Sequence, residues 1–460
     1  MRSLSCPIRT VAAACLLLAG CAAQAADDPV ASMQAAYTRA VAPGPQSDLH
    51  RELFAGVFQR VQRAYARDFD PSAFSAAALK VLAPLPAGTG QPAEVFGKAM
   101  NAAMGTLDPY SRYLDARSHA GARNANAGFG GVGLELEGSD GTVRVVAPMP
   151  GTPAERAGVL AGDLIVQVDR ERLAGLPLPD AMARMRGQPG TPVSLTIRRP
   201  GVAGEFTVAL TRDTIRRQLL RWSMEGDVLV LRLSSFTGPA TAAIRQAVAD
   251  ATAAGAPRAV VLDLRGNPGG LLTEAVQTAD AFLGQGEIVT LRGRAATRQR
   301  AWTADAAELL AGLPMVVLVD QRSASAAELV AAALQDNGRA RVMGQRSFGK
   351  GTVQSIFALG DEKGAVKVTT SVYHGPSGRT VQGAGVMPDI ELLAPIGAID
   401  TRAPADMPGM QAVRVQQGRC AVFKGADPAL SCALDYLRVG DVRAFAASLA
   451  AEPAAMMQAP

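Results

Sequence analysis

Histidine is scarce in this chain of 460 residues, with His50, His119 and His374 as the whole complement. A lone histidine at a strand end is more often structural than catalytic, so a histidine relay has little to draw on. No His, Cys, Asp and Glu cluster has metal-ligand spacing, and the residues imply no metal and no other cofactor. Cysteine is as sparse: Cys6, Cys15 and Cys21 fall near the start, leaving Cys420 and Cys432 for the folded part. Aromatic residues make up 5% of the chain, and the net charge is only +5. Without a Lys/Arg cluster interleaved with aromatics, that excess does not point to nucleic acid. The apolar run near the start, Val11 to Ala19, is too short to be a permanent membrane anchor.

That run follows Arg2 and Arg9, which is the charged-then-apolar order of a secretory leader. Leu18 to Cys21 then reads L-A-G-C and looks like a bacterial lipoprotein cleavage box, with Cys21 as the lipidated residue. A rival cleavage site with small-x-small spacing lies at Ala23-Gln24-Ala25. The expectation is an exported protein of the periplasm or cell envelope, with residues 1–25 as its leader and a lipid anchor if Cys21 is used. In such a compartment the isolated pair Cys420 and Cys432 reads as one disulfide.

With 48% hydrophobic residues the chain is long enough for two or three packed domains. Residues 31–120 are Ala-rich and helical in pattern, with Leu49, Leu53, Val57 and Val61 at i, i+4 steps. Pro84, Pro86 and Gly88 to Gly90 divide them into two groups, and no catalytic arrangement is visible there. Leu107 to Leu114, L-D-P-Y-S-R-Y-L, is a turn-like link. Strand-like pieces follow over residues 125–212, around T-P-A-E-R-A-G-V-L-A-G-D-L-I-V-Q-V-D, Thr152 to Asp169. This stretch closely resembles a PDZ domain, a mixed β unit with short helices. PDZ domains bind an extended peptide as an added strand and hold its terminal carboxylate on backbone amides of a Gly-containing loop. Here that loop is Phe129, Gly130, Gly131, Val132 and Gly133. Gly128, Gly130 and Gly133 also spell the dinucleotide fingerprint, but the alternating L-E-L-E after them predicts a strand where that motif needs a helix.

From residue 215 to 395, continuous apolar strands alternate with Ala-rich helices, the pattern of an α/β core. Residues 396–460 form a C-terminal extension, with a helical run over Ala433 to Leu449. Three core segments can carry chemistry. In D-L-R-G-N-P-G-G-L-L, Asp263 to Leu272, a strand runs into a Gly-Pro turn whose freed amides can donate to an oxyanion. In V-D-Q-R-S-A-S-A-A-E, Val319 to Glu328, a strand gives way to a helix near Ser325. Ser323 reads as a cap or turn residue. Ser325 is either a cap or a nucleophile favoured by the helix terminus. In V-M-G-Q-R-S-F-G-K-G-T-V-Q, Gly344, Gly349 and Lys350 nearly match a phosphate-binding loop. However, Gly351 replaces the magnesium-binding hydroxyl, and a strand follows. A lysine between Gly349 and Gly351 can instead be desolvated against neighbouring backbone, which lowers its pKa and makes it a base.

Together these segments resemble the carboxyl-terminal processing peptidases, or tail-specific proteases, over roughly Leu107 to Pro395. The resemblance implies a multidomain α/β protein: a helical N-terminal region, a PDZ domain and a protease core of the ClpP/crotonase-like kind. It implies Ser325 as nucleophile, Lys350 as base and Gln354 as the residue that orients the base. It places oxyanion donors at Gly269 or Gly270 and at Ala326, a supporting role at Asp336, and a link from the PDZ domain to the catalytic site at Arg186. The activity implied is Ser-Lys endoproteolysis of proteins with accessible C-termini, gated by the PDZ domain and open to an activator or adaptor. Two departures from the family pattern, Tyr110 in the link and His374 in H-G-P-S-G-R, are expected not to touch the Ser-Lys-Gln set, but they raise His374 as an alternative base. The competing reading is a non-enzymatic PDZ adaptor for envelope proteins, which would have no need of Ser325, Lys350 and Gln354 together.

Overall fold

Among the described residues each of the first four helices opens on proline, whose missing N–H falls where a helix has no acceptor to offer. They are α1 (Pro29–Ala40), α2 (Pro45–Ala64), α3 (Pro71–Leu82) and α4 (Pro92–Gly105). These elements belong to a computed structural model that describes residues 28–124, 129–139, 142–149, 151–215, 219–294, 299–305, 307–360, 363–393, 412–420 and 427–450. Asp28 and Asp70 accept amides of the first turns of α1 and α3. The four helices bury Tyr37, Phe54, Phe74 and Phe96 in a cluster that also takes in Val366 and Val368 of a later strand. After α4 the side chain of Asp108 accepts the amides of Tyr110 and Ser111, each at 2.8 Å. This turn delivers β1 (Arg112–Leu114), after which comes α5 (Ala116–Asn124).

The chain divides into two compact units, Ala120–Gln218 and the remainder. The smaller unit contains β2 (Phe129–Gly131), β3 (Leu134–Ser139), β4 (Thr142–Pro148), α6 (Pro153–Arg156), β5 (Leu164–Val168), β6 (Glu171–Arg172), α7 (Leu178–Met185), β7 (Pro192–Arg198), β8 (Glu205–Thr211) and β9 (Asp213–Ile215). Its sheet runs β3-β4-β5-β7-β8 with β6 on β5, while β2 pairs with β9. Alternate residues Val143, Val145, Val193, Leu195 and Ile197 form the inner face. Asp163, fully buried, is matched by the Arg199 fork at 2.7 and 2.9 Å.

The larger unit continues with β10 (Leu220–Glu225), β11 (Val228–Leu233), α8 (Ala240–Gly255), β12 (Ala259–Asp263), α9 (Leu272–Phe282), β13 (Glu287–Arg292), β14 (Gln299–Thr303), β15 (Met315–Val319), α10 (Ala326–Asp336), β16 (Arg341–Gly344), β17 (Thr352–Ala358), β18 (Ala365–His374), β19 (Ile390–Leu393), β20 (Val413–Gln416), α11 (Pro428–Val439) and α12 (Val442–Ala450). The central sheet runs β10-β11-β12-β15-β16-β19-β20, parallel from β11 onward. Its inner strands β12 and β15 are buried along their whole length because both faces are covered. Val260, Leu262 and Val317 join the core with α8, α9 and α10, whereas Val261, Val316 and Leu318 join α11 and α12. A second sheet runs β1-β18-β13-β14 with β17 on β18. The single helical run expected at the end is two helices, parted at Gly440, which takes φ of 78°.

Candidate active site

The turns that follow β12 and β15 meet because those strands are parallel neighbours, with Asp263 beside Leu318. Ala324 donates its amide to the Asn267 carbonyl at 2.9 Å, and Gly266 donates to Asp320 Oδ1 at 2.9 Å. Gly269 packs so tightly here that a Cβ would lie 2.9 Å from both the Ala326 nitrogen and Ser325 Cβ. Its φ of 99° independently favours glycine. The Gly-Pro turn is therefore pressed against Ser325.

Ser325 stands immediately before α10 with φ 56° and ψ −113°, a conformation that costs a non-glycine residue on the order of 1–3 kcal/mol. Its neighbours hold it there. The Ser325 amide donates to Glu328 Oε2 at 2.8 Å, and its carbonyl accepts from Tyr373 Oη at 2.8 Å and from the Leu329 amide at 3.0 Å. Strain held by surrounding structure in this way clusters at functional sites.

The third segment is bound to the same carboxylate. Lys350 donates its amide to Glu328 Oε2 at 2.8 Å, Gly349 to Oε1 at 2.6 Å, and Ser347 Oγ to Oε1 at 2.5 Å. Burial pushes the fully buried Glu328 carboxyl upward, and the donated hydrogen bonds oppose that shift. Its partners Ser325 N, Ser347 Oγ, Gly349 N and Lys350 N are all donors, a setting that accommodates the ionised form. Tyr373 Oη completes the bracket, reaching the Ser325 and Lys350 carbonyls at 2.8 Å each. Gly351 leaves no room for a side chain, since a Cβ would come within 2.6 Å of the Gln382 amide. The Lys350 amine is thus held half-buried. Burial lowers its pKa, and the Glu328 charge works against that shift without cancelling it. This combination yields a neutral amine more readily than a solvated lysine would.

Tyr110 departs from expectation. The Lys350 Nζ lies 5.0 Å from the centre of its ring, so the link residue does touch the set. The Asp108 turn swings Tyr110 back over the core, a placement that no local pattern in the helical region displays. Gln354 also differs in its partners: its Nε2 donates to Thr352 Oγ1 at 2.9 Å and Thr369 Oγ1 at 3.3 Å. The Gly269 amide is taken by Asn267 Oδ1 at 2.9 Å, whereas among the described residues the Gly270 and Ala326 amides donate to no partner. Asp336 pairs with Arg379 at 2.9 Å and accepts from Ser377, which fixes the turn after β18. Ser323 is a turn residue, donating to the Leu264 carbonyl at 2.9 Å. His374 follows Tyr373 on β18 and so points to the other face of the strand, away from Ser325.

In the smaller unit, Phe129, Gly130 and Gly131 form β2, while the Val132 and Gly133 carbonyls accept from Ala154 and Met149. Arg186 caps the end of α7. Cys420 and Cys432 are joined by a disulfide, with Cα atoms 5.0 Å apart. Cys21 and Gly128 lie outside the described residues. Glu328 and Tyr373 were not anticipated. For Glu328 a signal existed, because a Ser with Glu three residues later before an apolar run is a capping box. Tyr373 carried none.

Peptidase family S41 matches residues 227–392, and the PDZ domain matches residues 144–199. A carboxy-terminal-processing protease from Bartonella bacilliformis is 42% identical over 302 residues, which is 65% of this chain and 69% of its own length. A carboxyl-terminal-processing protease from Synechocystis is 36% identical over 336 residues, 70% of this chain and 77% of its own. Among solved structures, the photosystem II D1 C-terminal processing protease aligns at 29% identity and TM-score 0.48, over 76% of this chain and 93% of its own. The chain belongs to peptidase family S41, the carboxy-terminal-processing proteases with a PDZ domain, and is a serine peptidase.

Proposed function

We propose that this chain is an exported endopeptidase that processes or degrades envelope proteins from their C-termini through a Ser325–Lys350 acyl-enzyme. The observation that carries the reading is the Glu328 carboxylate, which binds the strained Ser325 and the Lys350 segment together. The neutral Lys350 amine takes the Ser325 hydroxyl proton as Oγ attacks the scissile carbonyl carbon. The Gly270 and Ala326 amides donate to the oxyanion. Collapse breaks the C–N bond, and the Lys350 ammonium returns its proton to the leaving amine. Water, deprotonated in turn by Lys350, then attacks the ester carbonyl, the C–Oγ bond breaks, and the Lys350 ammonium returns the proton to Ser325 Oγ.

Recognition falls to the PDZ domain, whose Phe129 to Gly133 segment receives a substrate carboxylate, with Arg186 relaying occupancy to the catalytic unit. Such a gate suits an exported protease, because a permanently open site would endanger its neighbours, and an activator or adaptor protein could act on it. Cleavage of the leader occurs at Cys21 with lipidation, or after Ala25 without it, and the mature chain works in the periplasm or cell envelope. The test is digestion of casein by the purified mature chain, with the new termini read by mass spectrometry. Cleavage by wild type and none by Ser325→Ala supports the proposal. Equal cleavage by both rejects it.

A further inference from the structure

The described part of the C-terminal extension, residues 412–420 and 427–450, is joined to the core. Asp427, the residue before α11, receives the Arg265 guanidinium in a two-pronged contact, Nη1 to Oδ1 at 2.8 Å and Nη2 to Oδ2 at 2.7 Å. The same guanidinium grips Asp263 at the end of β12, Nε to Oδ1 at 2.8 Å and Nη2 to Oδ2 at 2.6 Å. The Asp263, Arg265 and Asp427 side chains are 2%, 15% and 31% exposed, so the contact is largely shielded from water. Charge-assisted, forked contacts of this kind fix geometry as well as adding energy.

Both ends of the contact matter. On the tail side, α11 and α12 pack Cys432, Ala433, Leu434, Tyr436 and Phe445 against one face of the central sheet. The Cys420–Cys432 disulfide ties α11 back to the segment that follows β20. On the core side, Arg265 is the root of the turn that runs through Asn267 to Gly269 and Gly270, the turn pressed against Ser325. A catalytic amide must sit within a few tenths of an ångström of where the oxyanion forms, so whatever fixes the root of that turn bears on rate.

We propose that the C-terminal extension is a strut for the oxyanion turn, with Asp427 and Arg265 as positioning residues and the disulfide holding the strut in place. This rests on the Ser325 acyl-enzyme reading above. The strut touches no substrate, so its effect is on kcat and not on binding.

Asp427→Asn in the full mature chain separates this role from simple capping. Asn caps a helix as well as Asp does, so the start of α11 survives while the charged fork is lost. On a peptide substrate, kcat per folded molecule falls about tenfold, less than removing a whole oxyanion donor, while KM stays within about twofold. Folded fraction is taken from near-ultraviolet circular dichroism. Cys432→Ser, which leaves the ion pair intact and releases the tether, lowers kcat in the same direction by less. A kcat within about twofold of wild type in Asp427→Asn overturns the strut. If that variant does not fold, an unchanged kcat per folded molecule in Cys432→Ser overturns it instead. Ser325→Ala is assayed alongside: if it still cleaves, the acyl-enzyme reading has failed, and not the strut.

Discussion

Ser325 and Lys350 donate their backbone amides to one and the same oxygen, Oε2 of Glu328, each at 2.8 Å. The carboxylate is fully buried and holds main chain, while its charge opposes the lowering of the Lys350 pKa. Its work is to hold two loops from separate strands at fixed separation and to keep Ser325 in its strained conformation.

Replacing that carboxylate therefore damages both loops together. In Glu328→Gln the carboxamide NH2 faces donors, leaving at least one buried amide unpaired at a cost of about 1–3 kcal/mol. Displaced by even part of an ångström, the pair loses catalysis, and kcat falls on the order of 100-fold. Thermal unfolding and steady-state kinetics of the purified variant check both effects. Wild-type values in both would show that the carboxylate is dispensable.

The pH dependence follows from the environment of Lys350. The base must be neutral, and burial lowers its pKa, so kcat/KM rises with pH through a limb below the ordinary lysine range. Around the amine stand the Glu328 carboxylate on α10, the Tyr110 ring in the link, and Lys367 on β18, a lysine whose own pKa is lowered by burial and by the Lys350 charge. An aromatic face favours the ammonium by about 0.5–2 kcal/mol. Tyr110→Leu removes that attraction while keeping apolar bulk, so the limb moves to lower pH. Tyr110→Phe retains the ring and leaves the limb in place. A limb that moved upward in Tyr110→Leu would mean the ring acts only as a wall.

Substrate termini supply a separate test. A carboxylate received on backbone amides contributes charge-assisted hydrogen bonds that an amide cannot match. A peptide ending in a free apolar residue is cleaved on the order of tenfold faster than its C-terminally amidated twin, and the difference shrinks in Arg186→Ala. Equal rates for both peptides with both enzymes would leave the PDZ domain as a tether.

Much of this is legible in the sequence. Apolar strands alternating with Ala-rich helices announce a covered parallel sheet, because period and composition are local properties. The segments bearing Ser325, Lys350 and Gly269 could be marked for the same reason, since each sits in a short motif of glycine, serine or lysine. What the sequence hid was pairing at a distance. Tyr110 reaches Lys350 only because Asp108 turns the link and β1 pairs with β18. Asp427 reaches Arg265 only because α11 folds back onto the sheet. Gln354 shows the converse, since its place on β17 is readable but its partner Thr369 depends on the register with β18.

The most direct test of the account is the kcat/KM of Ser325→Ala, Lys350→Ala and the double variant on one peptide substrate, with each protein shown to be folded. Nucleophile and base act as a unit, so each single change should cost about 10,000-fold or more, and the double variant should be no worse than either. A Lys350→Ala protein that cleaves within about tenfold of wild type would contradict the assignment of Lys350 as the base.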